Sequence, residues 1–118
     1  MEKVFITGRG LVTPLGNGLA ANEAALRSGV SGIVQVPEFI ERGLESIVGG
    51  VADETPPLGD LVDRKKMRYC PPAATMSVFA VNEALQEAGI PKEDLGKCRI
   101  ALIGGTDTGN NREIYNEA

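Results

Sequence analysis

Four cations in five positions, Arg64, Lys65, Lys66 and Arg68 around Met67, are the densest group of chemically capable side chains in the sequence. The chain carries 12 Lys and Arg against 16 Asp and Glu, a net charge of −4, so this cluster inverts the sign of its surroundings. A compact positive patch attracts an acidic partner, speeds encounter and fixes orientation. Arginine adds paired hydrogen bonds to carboxylate or phosphate. The competing reading is the solvated face of a short helix, the ordinary fate of a charge run. Cys70 comes next, between the cations and a helix start, where a thiolate could be stabilised as a nucleophile. The sequence has no histidine to act as its base, which favours an unreactive thiol. Thr106, Asp107 and Thr108 follow an apolar run and would sit past a strand's carboxyl end, where open α/β sheets bind ligands. A lone loop aspartate is more often a turn residue than a catalytic group.

The elements that would position these groups begin with residues 3–6, a short apolar run suited to a buried strand. Gly8 and Gly10 interrupt it, and Pro14 and Gly16 mark a second turn. Residues 19–27 read as a helix, with Asn17 as a cap and Gly29 as the stop. Pro37 opens a brief helix that Gly43 ends, and residues 46–52 read as extended. Residues 53–60 hold Pro56, Pro57 and Gly59 and must be loop. Asp63 caps the basic segment. Residues 72–88 form a longer, alanine-rich helix that should lie close to its neighbours, with Thr75, Asn82, Glu83 and Gln86 on its polar face. Gly89 ends it, and residues 91–95 make a turn or one helical turn. Residues 99–103 read as a second buried strand, and residue 112 onward as the start of a helix. The order is that of an α/β layered protein with a parallel, incomplete sheet.

Several function classes are excluded or disfavoured. The dinucleotide fingerprint needs a third small residue where Thr13 stands, and no Gly-Lys is followed by Ser or Thr, so a nucleotide-binding α/β domain is a weak alternative. Without histidine, Cys-His, Ser-His and His-metal chemistry is impossible within these residues. Acidic balance and 4% aromatics argue against nucleic acid. The apolar runs are too short to span a bilayer, and nothing resembles an export leader, so a cytoplasmic chain with free Cys70 and Cys98 is expected. At 118 residues the length suits one domain.

The residues then resemble the amino-terminal part of the β-ketoacyl-acyl-carrier-protein synthases, condensing enzymes of fatty acid and polyketide synthesis. Val4-Phe5-Ile6-Thr7-Gly8-Arg9-Gly10-Leu11-Val12-Thr13-Pro14-Leu15-Gly16-Asn17 is similar to the family's opening. Ser31-Gly32-Ile33, Asp63-Arg64-Lys65 with Arg68, Ala84-Leu85-Gln86-Glu87-Ala88-Gly89 and the run from Arg99 to Gly105 match further motifs in order. The spacing between Gly43 and Asp63 looks more like type I than type II synthases. The resemblance implies a thiolase-like fold of two α/β halves, with residues 1–118 as part of the first half. It implies a homodimer with no metal and no organic cofactor, and an acyltransferase reaction by decarboxylative Claisen condensation. The family's nucleophilic cysteine and two histidines would lie beyond Ala118, matching neither Cys70 nor Cys98, so this piece alone should be inactive. Arg64, Lys65 and Arg68, with Lys66 as an extra charge, fall where the family docks its acidic acyl carrier protein. Thr106, Asp107 and Thr108 fall on the loop near the family's acyl tunnel, which is usually smaller and richer in glycine. A non-catalytic carrier-binding or chain-length-factor subunit is the alternative within the same fold.

Overall fold

The computed structural model describes residues 3–52, 55–59, 62–67, 70–97 and 99–105. A hairpin of β1 (Val12–Thr13) and β2 (Gly16–Asn17) comes first, with Thr13 opposite Gly16. Its turn is Pro14-Leu15, at the place the proline and glycine mark. Then follow α1 (Leu19–Arg27), β3 (Ile33–Gln35), α2 (Pro37–Glu41), β4 (Val48–Gly50), α3 (Arg64–Met67) and α4 (Pro72–Glu87). A 3₁₀ helix, Lys92–Lys97, closes the described order.

The longer helices end as their glycines dictate. Gly29, Gly43 and Gly89 have φ of 70°, 65° and 67°. After α1, the amides of Gly29 and Val30 donate to the carbonyls of Leu26 and Ala25. The same crossed pair recurs at Gly43 and Leu44 after α2, and at Gly89 and Ile90 after α4. This closure satisfies carbonyls that have no partner within the helix, and it needs a left-handed residue that glycine supplies without strain. The start of α1 departs from expectation: Asn17 belongs to β2, and the cap position is Gly18, which has no side chain to offer.

β3 and β4 pair antiparallel, with Val34 opposite Gly49, and the Val36 amide extends the ladder to the Ile47 carbonyl at 2.8 Å. The missing side chain at Gly49 makes room for Phe39, whose ring would lie 3.3 Å from a Cβ there. Pro14 fills a notch between the two sheets: a Cβ at Gly32 would come within 2.9 Å of it, and one at Gly50 within 2.8 Å. Val36 and Leu58 are the buried large apolar residues among those described.

The two runs read as buried strands are not strands here. Residues 3–6 and 99–103 pair with no ladder among the described residues, which contain two antiparallel sheets and no parallel pairing. Val4 and Ile6 are 94% and 88% exposed, and Leu102 and Ile103 are 84% and 93% exposed. The sequence pattern reports that a segment wants cover on both faces. It does not provide the neighbouring backbone that turns the run into a strand, and a ladder needs both.

Candidate functional site

The basic segment is built as its sequence implies. Asp63 accepts the Lys65 amide on its side-chain Oδ1 at 2.8 Å and the Lys66 amide on its carbonyl at 2.9 Å, capping α3. Lys65 and Lys66 are exposed. The ion pairs among the described residues join Arg9 to Glu87, Arg27 to Glu23 and Lys97 to Asp94, and none takes either lysine. Arg64 stands on α3 by its backbone. Its side chain lies outside the described part of the structure, as do Arg68, Thr106, Asp107, Thr108, Cys98 and the expected helix from residue 112. Cys70 is half-buried, and its thiol donates to the Lys66 carbonyl at 3.5 Å, so it ties α3 to the start of α4.

The glycine loop faces a helix instead of a ligand. A Cβ on Gly8 would fall onto the Ala84 carbonyl oxygen, and one on Gly10 onto that of Ala80. Two residues of extended chain advance about 6.6 Å, close to the roughly 6 Å of four helical residues. Residues 8 and 10 therefore step down α4 in register with Ala84 and Ala80. The alanines of α4 do bring it close to a neighbour, as its composition implies. The space a phosphate would need beside these glycines is filled by helix backbone.

α4 also reaches into this loop with two carboxylates. Glu83 Oε2 accepts the Leu11 amide at 3.1 Å, and Oε1 accepts the Leu19 amide, the first of α1, at 2.6 Å. Glu87 accepts the Arg9 backbone amide on Oε2 at 2.5 Å and its guanidinium Nη2 on Oε1 at 2.5 Å. The hydrogen bond and charge of Arg9 hold the Glu87 carboxyl below the ordinary glutamate range, and Glu87 raises Arg9 in return. Asn22, buried on α1, completes the arrangement by donating to the carbonyls of Gly16 (2.9 Å) and Gly18 (2.7 Å) and accepting from the Thr13 hydroxyl.

Two residues assigned to the polar face of α4 are therefore misplaced by helical periodicity alone. Thr75 is buried and Glu83 is half-buried against the loop. Gly18 gives α1 no side-chain cap and no acid occupies the first turn of that helix; the sequence places the cap at Asn17, so the need that Glu83 meets shows only in the structure.

Beside α4 lies an open apolar cleft of about 840 Å³, lined by Val78, Val81, Leu85, Leu95, Leu102 and Ile103 among others. The described residues group no three His, Cys, Asp or Glu side chains as a metal would need, and none of their helices is long and apolar enough to cross a membrane.

Comparison with known proteins gives one consistent result. The family described as "Beta-ketoacyl synthase, N-terminal domain" matches residues 1–118. The 3-oxoacyl-[acyl-carrier-protein] synthase 1 of Haemophilus influenzae is 34% identical over 110 residues, covering 93% of this chain and 27% of the relative. The Escherichia coli K12 protein of the same name is 33% identical, over 95% of this chain and 27% of its own length. A putative mitochondrial 3-oxoacyl-[acyl-carrier-protein] synthase of Schizosaccharomyces pombe is 36% identical, over 99% and 29%. The chain thus spans little more than a quarter of the length of these relatives.

Proposed function

The chain belongs to the β-ketoacyl synthase family, matching its N-terminal domain over residues 1–118, and on that premise we propose that it is the opening part of a 3-oxoacyl-[acyl-carrier-protein] synthase. The reading extends the names of its relatives to this chain. The protein would join an acyl thioester to a malonyl carrier protein in fatty acid or polyketide synthesis. A cysteine thiolate takes the acyl group and releases the carrier thiol. Loss of carbon dioxide from the malonyl group leaves a carbanion, which attacks the acyl-cysteine carbonyl and expels the thiolate. Two histidines assist in such enzymes by stabilising developing charge. These 118 residues contain no histidine, so their own contribution is binding and support. The scaffold is proposed to be thiolase-like and homodimeric, and the acyl-tunnel role of Thr106, Asp107 and Thr108 belongs to the same proposal.

The observation that carries the reading is the Asp63-capped turn with Lys65 and Lys66 exposed and outside every described ion pair, in a chain of net charge −4. Such a turn presents positive charge to an acidic carrier protein, with Arg64 and Arg68 as neighbouring cations in sequence. The test is carrier-protein affinity in the synthase that contains this segment. Lys65→Glu with Lys66→Glu should weaken binding at least ~10-fold at low salt, and the gap should close as ions screen the surface. Equal affinity at low salt would remove the docking role. The 118 residues by themselves should show no acyl transfer, and measurable turnover would overturn the division of labour described above.

A further inference from the structure

α1 needs an outside cap. Its first amides have no partner within the helix and carry the positive end of the helix dipole. Gly18 offers no side chain, and the first turn holds no acid. Glu83 supplies the missing acceptor from α4, and the local backbone is shaped for it. Gly18 is buried at φ 88°, and a Cβ there would stand 2.7 Å from Glu83 Oε1. The same carboxylate takes Leu11 on its other oxygen. One helical turn later Glu87 takes Arg9 by backbone and guanidinium, the spacing of four placing both acids on one face. α1 itself packs mainly on β2, and β1 on α4, so these carboxylates are the polar fastening between the two parts.

We propose that Glu83 and Glu87 form a carboxylate latch by which α4 holds residues 9–19 and the start of α1, and that discharging the latch frees α1 and the β1–β2 hairpin while α4 stays helical. An ionised carboxylate only accepts, so both Glu83 oxygens suit amide donors. A protonated carboxyl, or the amide of glutamine, turns a donor against one of them. The charged groups facing the latch are Arg9 from the loop and Glu23 from α1, itself paired with Arg27. Arginine keeps its charge throughout, so the latch is discharged at its carboxylates, by Glu83→Gln and Glu87→Gln.

Amide hydrogen exchange on the full chain tests this. In Glu83→Gln, protection at Leu11 and Leu19 should fall about 10-fold or more at pH 7, the loss expected for charge-assisted bonds, while Val81 and Asn82 inside α4 keep theirs. Glu87→Gln should lower protection at Arg9 and spare Leu19. Unchanged protection at Leu11 and Leu19 in Glu83→Gln would overturn the latch, as would α4 losing protection in step with α1. If Glu83→Gln does not fold, Glu87→Gln decides: unchanged protection at Arg9, or protection lost throughout α4, refutes the proposal.

Discussion

Two glycines of the loop stand where no side chain fits. Gly8 and Gly10 touch the carbonyls of Ala84 and Ala80, where even a methyl group has no room. Gly8→Ala or Gly10→Ala must push residues 8–11 off α4, and each should destabilise by about 1–3 kcal/mol, the cost of overpacking a close contact. Gly104 has nothing within 4 Å of its would-be Cβ, so Gly104→Ala should stay within about 0.5 kcal/mol of the parent. Denaturant melts of the three variants check both statements. The Arg9–Glu87 pair makes a different prediction at the same scale. Arg9 holds the Glu87 carboxyl below its ordinary value, so the native state binds that proton less readily than the unfolded chain. The pair's contribution is present above the ordinary glutamate value and is lost as pH falls through the lower native one. Carbon NMR of Glu87 should show its titration moving upward in Arg9→Met. A titration that does not move would mean that Arg9 is not the cause.

At the scale of elements, helix ends are set by one backbone angle each. Gly89 has φ 67° and open space around its would-be Cβ, so a substitution there meets backbone strain and no clash. Gly89→Ala should cost about 1–2 kcal/mol. Gly89→Asn should cost less, because asparagine tolerates the left-handed region. Thermal melts that rank alanine above asparagine would contradict this account. These ends were legible in the sequence because Gly29, Gly43 and Gly89 act locally, within a few bonds of the helix they close. The Asp63 cap, the Pro14 turn and the extent of α4 were legible for the same reason. Glu83 was not, since its partners Leu11 and Leu19 lie 72 and 64 positions away, and helical periodicity ranks faces by polarity alone. A carboxylate that satisfies distant amides looks, in sequence, like one that faces water. Residues 3–6 and 99–103 failed in the opposite direction. Their composition reads as seeking cover, but a strand is a property of two backbones, and composition names only one.

The whole molecule follows from those uncovered runs. A radius of gyration of 17.2 Å exceeds the roughly 13.5 Å expected of a compact chain of this length, so these residues do not close around one core. Val4, Phe5, Ile6, Ile100, Leu102 and Ile103 all stand exposed, and the cleft beside α4 continues that apolar surface through Leu102 and Ile103. Apolar surface of this extent drives association, and segments with unpaired amides and carbonyls add a template for pairing. The 118 residues studied by themselves should therefore self-associate. Sedimentation velocity should show weight-average mass rising with concentration over the micromolar range. Phe5→Lys with Leu102→Lys should shift that rise to higher concentration, since each replaces apolar surface with a charge that repels its copy. A lysine pair placed instead on the polar surface, Gln86→Lys with Glu93→Lys, changes net charge by more and should shift it less. If the second pair suppresses association as strongly as the first, then net charge and not the exposed apolar runs governs it. The proposed docking and the association are separable by salt: carrier binding through Lys65 and Lys66, if they dock it as proposed, should weaken as salt rises, whereas burial of Phe5 and Leu102 should not.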